Sequence, residues 1–236
     1  MELTILMPCL NEVDAIPFCV GEAMAFLRES GVEGEVLLAD NGSTDGSQAL
    51  AERLGARVVP VAEKGYGAAL RGGIAAAKGR FVIMADCDGS YDLYHLTPFL
   101  EALRTGAQLV VGDRYGLGFQ PGASPWSHRV VGVPALSWLG RLAQRRWRPD
   151  RQALVHDYHC GLRGVEKAAF LRLNARCTGM EFASEMILLA TAAGQTLRQL
   201  PTGLRPDLRG GRPPHLRPIR DGLRHVKTIL RLWAAG

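Results

Sequence analysis

Apolar residues fall along this chain in short dense runs separated by stretches of helical spacing. Residues 3–7, 35–40, 57–60, 81–85 and 107–112 read as strands, and most are runs rather than alternations. Runs of that kind belong to strands buried on both faces, as in parallel sheets. Between them, residues 12–30 carry apolar side chains at Ile16, Val20, Ala23, Met24 and Leu27, the spacing of a helix. Residues 44–54 follow with Ser43 placed to cap them, then an alanine-rich helix over 67–78 stopped by Gly79, and a helix over 97–105. Strands alternating with helices predict an α/β domain with a mainly parallel central sheet and helices on both faces.

Past Gly112 the pattern weakens. Residues 116–127 read as a loop, 130–146 as a helix, 148–157 as a polar connection, 160–165 as a strand and 180–193 as a helix. Residues 202–218 hold four prolines, three glycines and four arginines, which predicts a segment mobile without ligand. The division expected is a catalytic domain over 1–202, then a basic loop and an amphipathic, juxtamembrane helix over 203–236. In that helix Ile219, Leu223, Val226, Leu230 and Trp233 form one apolar stripe, flanked by Arg220, Arg224, Lys227 and Arg231. Such a helix suits an anionic membrane surface, or it packs on the core with its arginines solvated.

Charge sharpens the division. The net charge is +5, but the first hundred residues carry 14 acidic and 7 basic side chains, and the remainder 9 acidic and 21 basic. One half thus suits a cation and the other anions. A nucleic-acid partner is disfavoured, because the basic tail lacks interleaved aromatics. The five cysteines are odd in number and form no C-x-x-C pair, which fits reduced thiols in a cytoplasmic protein. No run of 18 apolar residues occurs, and the N-terminus reads as a first strand rather than a signal peptide.

Chemistry gathers at strand ends. Asp40, Asp86 and Asp113 each close a predicted strand, and ligands of open α/β sheets bind beyond those ends. Asp86-Cys87-Asp88-Gly89 offers two carboxylates to a hard cation, Mg²⁺ or Mn²⁺, whose other ligands would be waters and substrate phosphates. Lys64–Ala69 is a glycine-rich turn before a helix, open to a phosphate or to close packing. It lacks the third glycine of a dinucleotide fingerprint, and no P-loop Gly-Lys-Ser/Thr appears. His156, His159 and Cys160 lack a complementary pair for zinc.

Pro8-Cys-Leu-Asn11-Glu12, Asp40-Asn41-Gly-Ser-Thr-Asp45, Lys64-Gly-Tyr-Gly67-Ala-Ala, Asp86-Cys-Asp88-Gly and Gly112-Asp-Arg114-Tyr occur in that order. Together they resemble family 2 inverting glycosyltransferases, whose fold is a Rossmann-like nucleotide-diphospho-sugar transferase fold. Asp157-Tyr-His-Cys-Gly-Leu-Arg163, Gly179-Met-Glu181-Phe-Ala-Ser-Glu185 and Arg212-Pro-Pro-His-Leu-Arg217 resemble the polyprenyl-phosphate (dolichyl-phosphate) mannose and glucose synthase branch. The resemblance implies a UDP- or GDP-linked sugar donor bordered by Pro8, Asn11 and Glu12, with Asp40 on the base and Asn41, Lys64 and Gly67 beside it. It places Asp86 near the ribose or diphosphate, Asp88 on the metal and Arg114 toward the phosphates. Asn41 stands where the family often has a second acid, and Ser90 where the branch often has Gln or His, so Asp92 is an alternative ligand through a water.

The acceptor sets the remaining chemistry. A hydroxyl needs a general base, for which Asp157 is the candidate, whereas a phosphate monoester is already nucleophilic near pH 7. A polyprenyl phosphate would need cations instead, and Arg129, Arg163, Arg212 and Arg217 are the candidates. Trp126 and His128 border that channel or anchor a loop, and Glu181 and Glu185 are arginine partners or a charged helix face. The expected activity is metal-dependent hexosyl transfer to a polyprenyl phosphate at a cytosolic membrane face. Transfer to a hydroxyl of a soluble or glycan acceptor, and a non-catalytic sugar-nucleotide-binding or membrane-scaffold role, are the alternatives.

Overall fold

The computed structural model describes residues 1–126, 128–147, 154–209 and 217–235. Its strands are β1 (Leu3–Cys9), β2 (Gly34–Asp40), β3 (Arg57–Pro60), β4 (Phe81–Met84), β5 (Leu109–Asp113), β6 (Gly118–Phe119), β7 (Arg163–Glu166) and β8 (Leu197–Leu204). They form one sheet in the order β3-β2-β1-β4-β7-β5-β8-β6, in which β7 alone runs antiparallel to its neighbours. Leu3, Ile5, Leu6, Leu37, Leu38 and Ile83 are wholly buried, so the apolar runs are the central strands. Because β1, β2, β4 and β5 are parallel, their carboxyl ends share one rim, and Asp40, Asp86 and Asp113 stand at or just past it.

Helices α1 (Ile16–Ser30), α2 (Ser47–Arg53), α3 (Tyr66–Ala76), α4 (Thr97–Arg104), α5 (Arg114–Leu117), α6 (Val133–Gln144), α7 (Lys167–Arg172), α8 (Phe182–Ala192) and α9 (Pro218–Ala235) complete the described chain. A π-helical turn at His128–Gly132 precedes α6. Helix α1 starts at Ile16, the first residue of its apolar spacing and four residues after the expected bound, with Pro17 in its first turn and Asn11 at a left-handed φ of 56° ahead of it. Ser43 is not the cap of α2, which instead begins after left-handed Gly46. The Ser43 hydroxyl accepts the Asn11 amide at 2.9 Å.

Four elements lie outside the sequence expectations: α5 and β6, which enter the stretch expected as a loop over 116–127, and α7 and β8. Helix α7 follows β7 directly, and β8 runs through residues 197–204 despite Pro201. It pairs with β5 along one edge and with only the two residues of β6 along the other, which leaves room for proline. The expected boundary at residue 202 therefore falls inside a strand. Beyond it, residues 205–209 are pinned rather than loose, for the Arg205 and Leu208 amides donate to the Ser90 and Asp88 carbonyls at 2.9 and 2.8 Å. Arg212 lies outside the described residues.

Helix α9 packs on α6 and α8 with its polar side inward. Asp221, His225 and Thr228 are buried with Ile229, while Ile219 and Leu223 are 82% and 66% exposed. The apolar stripe thus faces away from the body, contrary to packing on the core. Among the described residues no helix is long and apolar enough to cross a membrane. The five cysteines are free thiols, four of them buried.

Candidate active site

The first two motifs are knitted into one rim. The Asn11 side-chain oxygen accepts the Thr44 amide at 2.8 Å, and the Glu12 amide donates to the Ser47 hydroxyl at 3.0 Å. Asp45 takes the Val13 amide at 3.1 Å. Pro8 lies opposite Ala39 in the β1–β2 register. Asp40 is buried, and its carboxylate accepts the amides of Gly42 and Ser43 and the side chain of Gln48. Asn41 donates to the Val61 and Glu63 carbonyls at 3.0 and 2.8 Å and accepts the Gly65 amide at 2.7 Å. Lys64 reaches back to the Asn41 carbonyl at 2.7 Å.

The glycine-rich turn is a packing device at both its glycines. A Cβ on Gly65, whose φ is +127°, would meet the Thr178 carbonyl oxygen at 2.1 Å. One on Gly67 would meet the Cys177 carbonyl oxygen and Phe182 Cβ, each at 2.6 Å. The Ala68 amide at the start of α3 is also taken, donating to the Thr178 carbonyl at 3.1 Å.

This packing holds Tyr66 over the acidic motif, where its hydroxyl donates to Asp86 Oδ1 at 2.8 Å. Burial, then the nearby Asp88 charge, pushes the Asp86 carboxyl up to about 6. Asp88 accepts the Ser90 amide at 3.0 Å and faces the Arg209 guanidinium at 3.4 Å, which in turn lies 3.9 Å from Glu12 and 3.0 Å from Asp207. Asp92 is turned elsewhere, held by the Tyr94 and His95 amides, the His95 ring and Arg205. Two hard oxygen donors that repel each other, with a guanidinium beside one of them, fit a divalent Mg²⁺ or Mn²⁺ at Asp86 and Asp88. Among the described residues no three His, Cys, Asp or Glu side chains are grouped around a cation, so water and substrate oxygens would complete the shell.

Across the rim, Arg114 and Asp157 form a bidentate pair. Arg114 Nε and Nη2 donate to the two Asp157 oxygens at 2.6 and 2.8 Å, and Asp157 also takes the His159 amide at 3.1 Å. Asp157 is wholly buried. Burial pushes its carboxyl up, but the hydrogen bonds and charge of Arg114 outweigh this and hold it below its ordinary value. Such a carboxylate is a poor proton acceptor for a hydroxyl, and its two hydrogen bonds fix the orientation of the Arg114 guanidinium.

Arg163 departs from expectation more sharply. It is 3% exposed, and its nitrogens donate to the Cys160, Ala183 and Tyr158 carbonyls at 2.8, 2.8 and 2.7 Å. With its donors so engaged, it braces the underside of the site and is removed from the acceptor cations. Arg129 is half-buried on the π-helical turn, its guanidinium 5.6 Å from the Phe119 ring centroid, with Arg114 at 5.9 Å from the same ring. Tyr115 fixes that turn by donating to the Arg129 carbonyl at 2.7 Å. Arg217 is exposed at the start of α9, its amide donating to Asp221 at 2.7 Å.

Sequence reasoning left Tyr66 and Arg209 unassigned. Tyr66 stands between Gly65 and Gly67, in a motif whose glycines are its signal. Arg209 lies in a segment with no periodicity, where only the surplus of arginine signals an anion site.

The sequence model of "Glycosyl transferase family 2" matches residues 4–173. The chain is 34% identical over 229 residues to the low-salt glycan biosynthesis hexosyltransferase Agl6 of Haloferax volcanii, covering 97% of this chain but 53% of that protein. It thus spans about half the length of that relative. It is 33% identical over 234 residues to an uncharacterized glycosyltransferase of Mycobacterium tuberculosis, covering 98% of this chain and 96% of the relative. A dolichyl-phosphate hexose transferase of Haloferax volcanii is 27% identical, with 98% and 93% covered. Among solved structures, Mycobacterium tuberculosis glucosyl-3-phosphoglycerate synthase with Mn²⁺, UDP and phosphoglyceric acid superposes with a TM-score of 0.70 at 21% identity, covering 98% of this chain and 78% of that one. The sheet order, the rim of strand-end carboxylates and these matches agree: the chain belongs to glycosyltransferase family 2 and has its Rossmann-like fold.

Proposed function

We propose that this glycosyltransferase moves a hexose, with inversion, from a nucleoside diphospho-sugar to a polyprenyl phosphate at the cytosolic face of a membrane. The observation that carries the acceptor assignment is the Arg114–Asp157 pair. Asp157, the acid that the sequence offers as base for a hydroxyl acceptor, is buried, ionised and bound through both oxygens. A phosphate monoester, with a second pKa of about 6, needs no base and needs positioning cations. The dolichyl-phosphate hexose transferase relative supports the same acceptor.

The roles follow from where the side chains stand. Asn11, Glu12 and the turn after Asp40 form the donor rim, and Asp86 and Asp88 would hold the metal. A bound Mg²⁺ or Mn²⁺ would act as a Lewis acid on the leaving diphosphate. Arg209, which neutralises Asp88 in this structure, is the further cation at hand for phosphate oxygens. Arg114, held in aim by Asp157, and Arg129 beside it would position the acceptor phosphate. An acceptor phosphate oxygen attacks the anomeric carbon as the bond to the diphosphate oxygen breaks, and the diphosphate leaves with that electron pair. One displacement inverts the anomeric centre and involves no protein nucleophile.

The exposed apolar residues support the location. Trp138 and Leu142 on α6 are exposed, as are Val130 and Val131 just before it, and so is the ridge of α9, which packs on α6. Two adjacent helices offering tryptophan, leucine and valine outward, with arginines alongside, suit the interface of an anionic bilayer.

The test is transfer of radiolabelled sugar into an organic-extractable product. Protein is incubated with Mn²⁺ or Mg²⁺, with farnesyl phosphate or farnesol, and with UDP-glucose, UDP-N-acetylglucosamine or GDP-mannose. EDTA-sensitive labelling of farnesyl phosphate but not farnesol, lost by at least about a hundredfold in Asp88→Ala, is the expected result. Labelling of farnesol, or an undiminished Asp88→Ala rate, would refute the assignment.

A further inference from the structure

On one flank of α9, a cleft of about 310 Å³ opens between that helix and residues 176–181. Its walls carry four cations, Arg176, Arg224, Lys227 and Arg231, and its hydroxyls are those of Thr178 and Thr228. Two of the cations are held in place from below. Arg224 donates to Glu181 at 2.8 Å and to the Thr178 hydroxyl at 3.4 Å. Arg231 lies 3.6 Å from Glu185. Both carboxylates are buried, at 4% and 2% exposure. Arg176 and Lys227 are exposed and have no carboxylate partner among the described residues, so the cleft keeps two surplus positive charges. On its floor, Glu181 Oε2 accepts no hydrogen bond among the described residues.

At about 100° per residue, α9 presents three faces. Asp221, His225, Thr228 and Ile229 face the body, Ile219, Leu223, Leu230 and Trp233 face outward, and Arg224, Lys227 and Arg231 lie between them. A helix seated with its apolar ridge a few ångströms into the acyl boundary puts its flanking side chains at headgroup depth. The cleft mouth is on that flank.

We propose that this cleft is a headgroup site for an anionic phospholipid carrying hydroxyls, such as a phosphoglycerol headgroup. The phosphate meets the four cations, and a headgroup hydroxyl donates to Glu181 Oε2. The proposal rests on the membrane location argued above, and it is separate from the donor and acceptor sites. It assigns a function to surplus charge that the transfer reaction does not use, namely holding the enzyme on anionic membrane.

Vesicle sedimentation of the full chain tests it. Vesicles of phosphatidylcholine alone are compared with vesicles containing phosphatidylglycerol, for wild type, Arg176→Ala/Lys227→Ala and the charge-keeping Arg176→Lys/Lys227→Arg. These exposed positions leave the Glu181 and Glu185 pairs intact, and unchanged melting confirms folding. Each lost cation should weaken binding to phosphatidylglycerol vesicles about fivefold, so about 25-fold for the pair, with the charge-keeping variant near wild type. If wild type prefers phosphatidylglycerol and the alanine variant does so equally, the cleft assignment fails while the membrane location stands. If wild type binds neither vesicle, the membrane location itself fails and the cleft with it. A fourth arm adds soluble glycerol 1-phosphate. Should that ester stabilise wild type but not the alanine variant, with no vesicle preference, the cleft takes free phosphate esters and the lipid assignment is overturned.

Discussion

At the scale of single residues, position 41 shows why a departure from a family pattern can be structural. Asn41 gives two hydrogen bonds and accepts one, tying β2's end to the loop that carries Lys64 and Gly65. A carboxylate there could accept from Gly65 but could not donate to the Val61 and Glu63 carbonyls. Asn41→Asp should therefore lower the unfolding free energy by about 2 kcal/mol, read by urea denaturation at pH 7. A loss below about 0.5 kcal/mol, the range of an ordinary surface substitution, would refute the account. Asp157 teaches the complementary lesson. Its residue type suits a base, and only the bidentate geometry to Arg114 shows that its proton-accepting capacity is already engaged.

At the scale of elements, the turn into α3 is decided by close approach. The Gly65 and Gly67 Cα atoms lie against the backbone of residues 177–178, and through that contact α3 sets Tyr66 on Asp86. Gly67→Ala should cost about 1–3 kcal/mol of stability by overpacking, while donor affinity in the folded fraction changes little. Calorimetric melting together with donor titration separates the two effects, and a selective loss of donor affinity would restore the phosphate-cradle reading. The central strands were legible because burial on both faces writes itself as an apolar run, as in Phe81-Val-Ile-Met. The direction of β7 was not, since its residues 163–166 look the same run either way. Strand β8 carries no apolar run because its place near the sheet edge tolerates Arg198, Gln199 and Pro201. The rim that joins Asn11 and Glu12 to the turn after Asp40 was legible as motifs in order. Arg209 was not, because it reaches Asp88 through tertiary placement alone. The amphipathic pattern of α9 likewise shows which face is apolar but not which face meets the body.

At the scale of the whole molecule, the charge division between the two parts of the chain is partly resolved internally. Arg205 pairs with Glu22 and Asp92, and Arg209 approaches Glu12 and Asp88, so the basic part is laid across the acidic rim. Helix α9 is joined to the same body through a buried polar seam. The buried His225 ring lies 2.8 Å from the Ser184 hydroxyl and 3.3 Å from the His159 ring. Burial, then the charges of Arg163 and Arg224, pulls His225 down to about 4, with Asp221 opposing. His159 is pulled down as well, by burial, then by His225, Arg114 and Arg163. A histidine whose folded value lies below its unfolded 6.5 stabilises the fold above that pH, because the unfolded chain binds the proton more readily. The contribution is lost as pH falls from about 6.5 toward 4, reaching about 2 kcal/mol by pH 5. Asp86, raised to about 6, acts with the opposite sign in part of that window, so a single stability curve mixes the two. The difference between wild type and His225→Gln removes the shared background, since glutamine keeps a polar contact with Ser184 without titrating. Urea midpoints measured from pH 7.5 to 4.5 should show wild type losing stability relative to the variant as pH falls. Parallel curves would mean that the seam under α9 admits the proton without cost, and that α9 is held by something other than the neutral histidine pair.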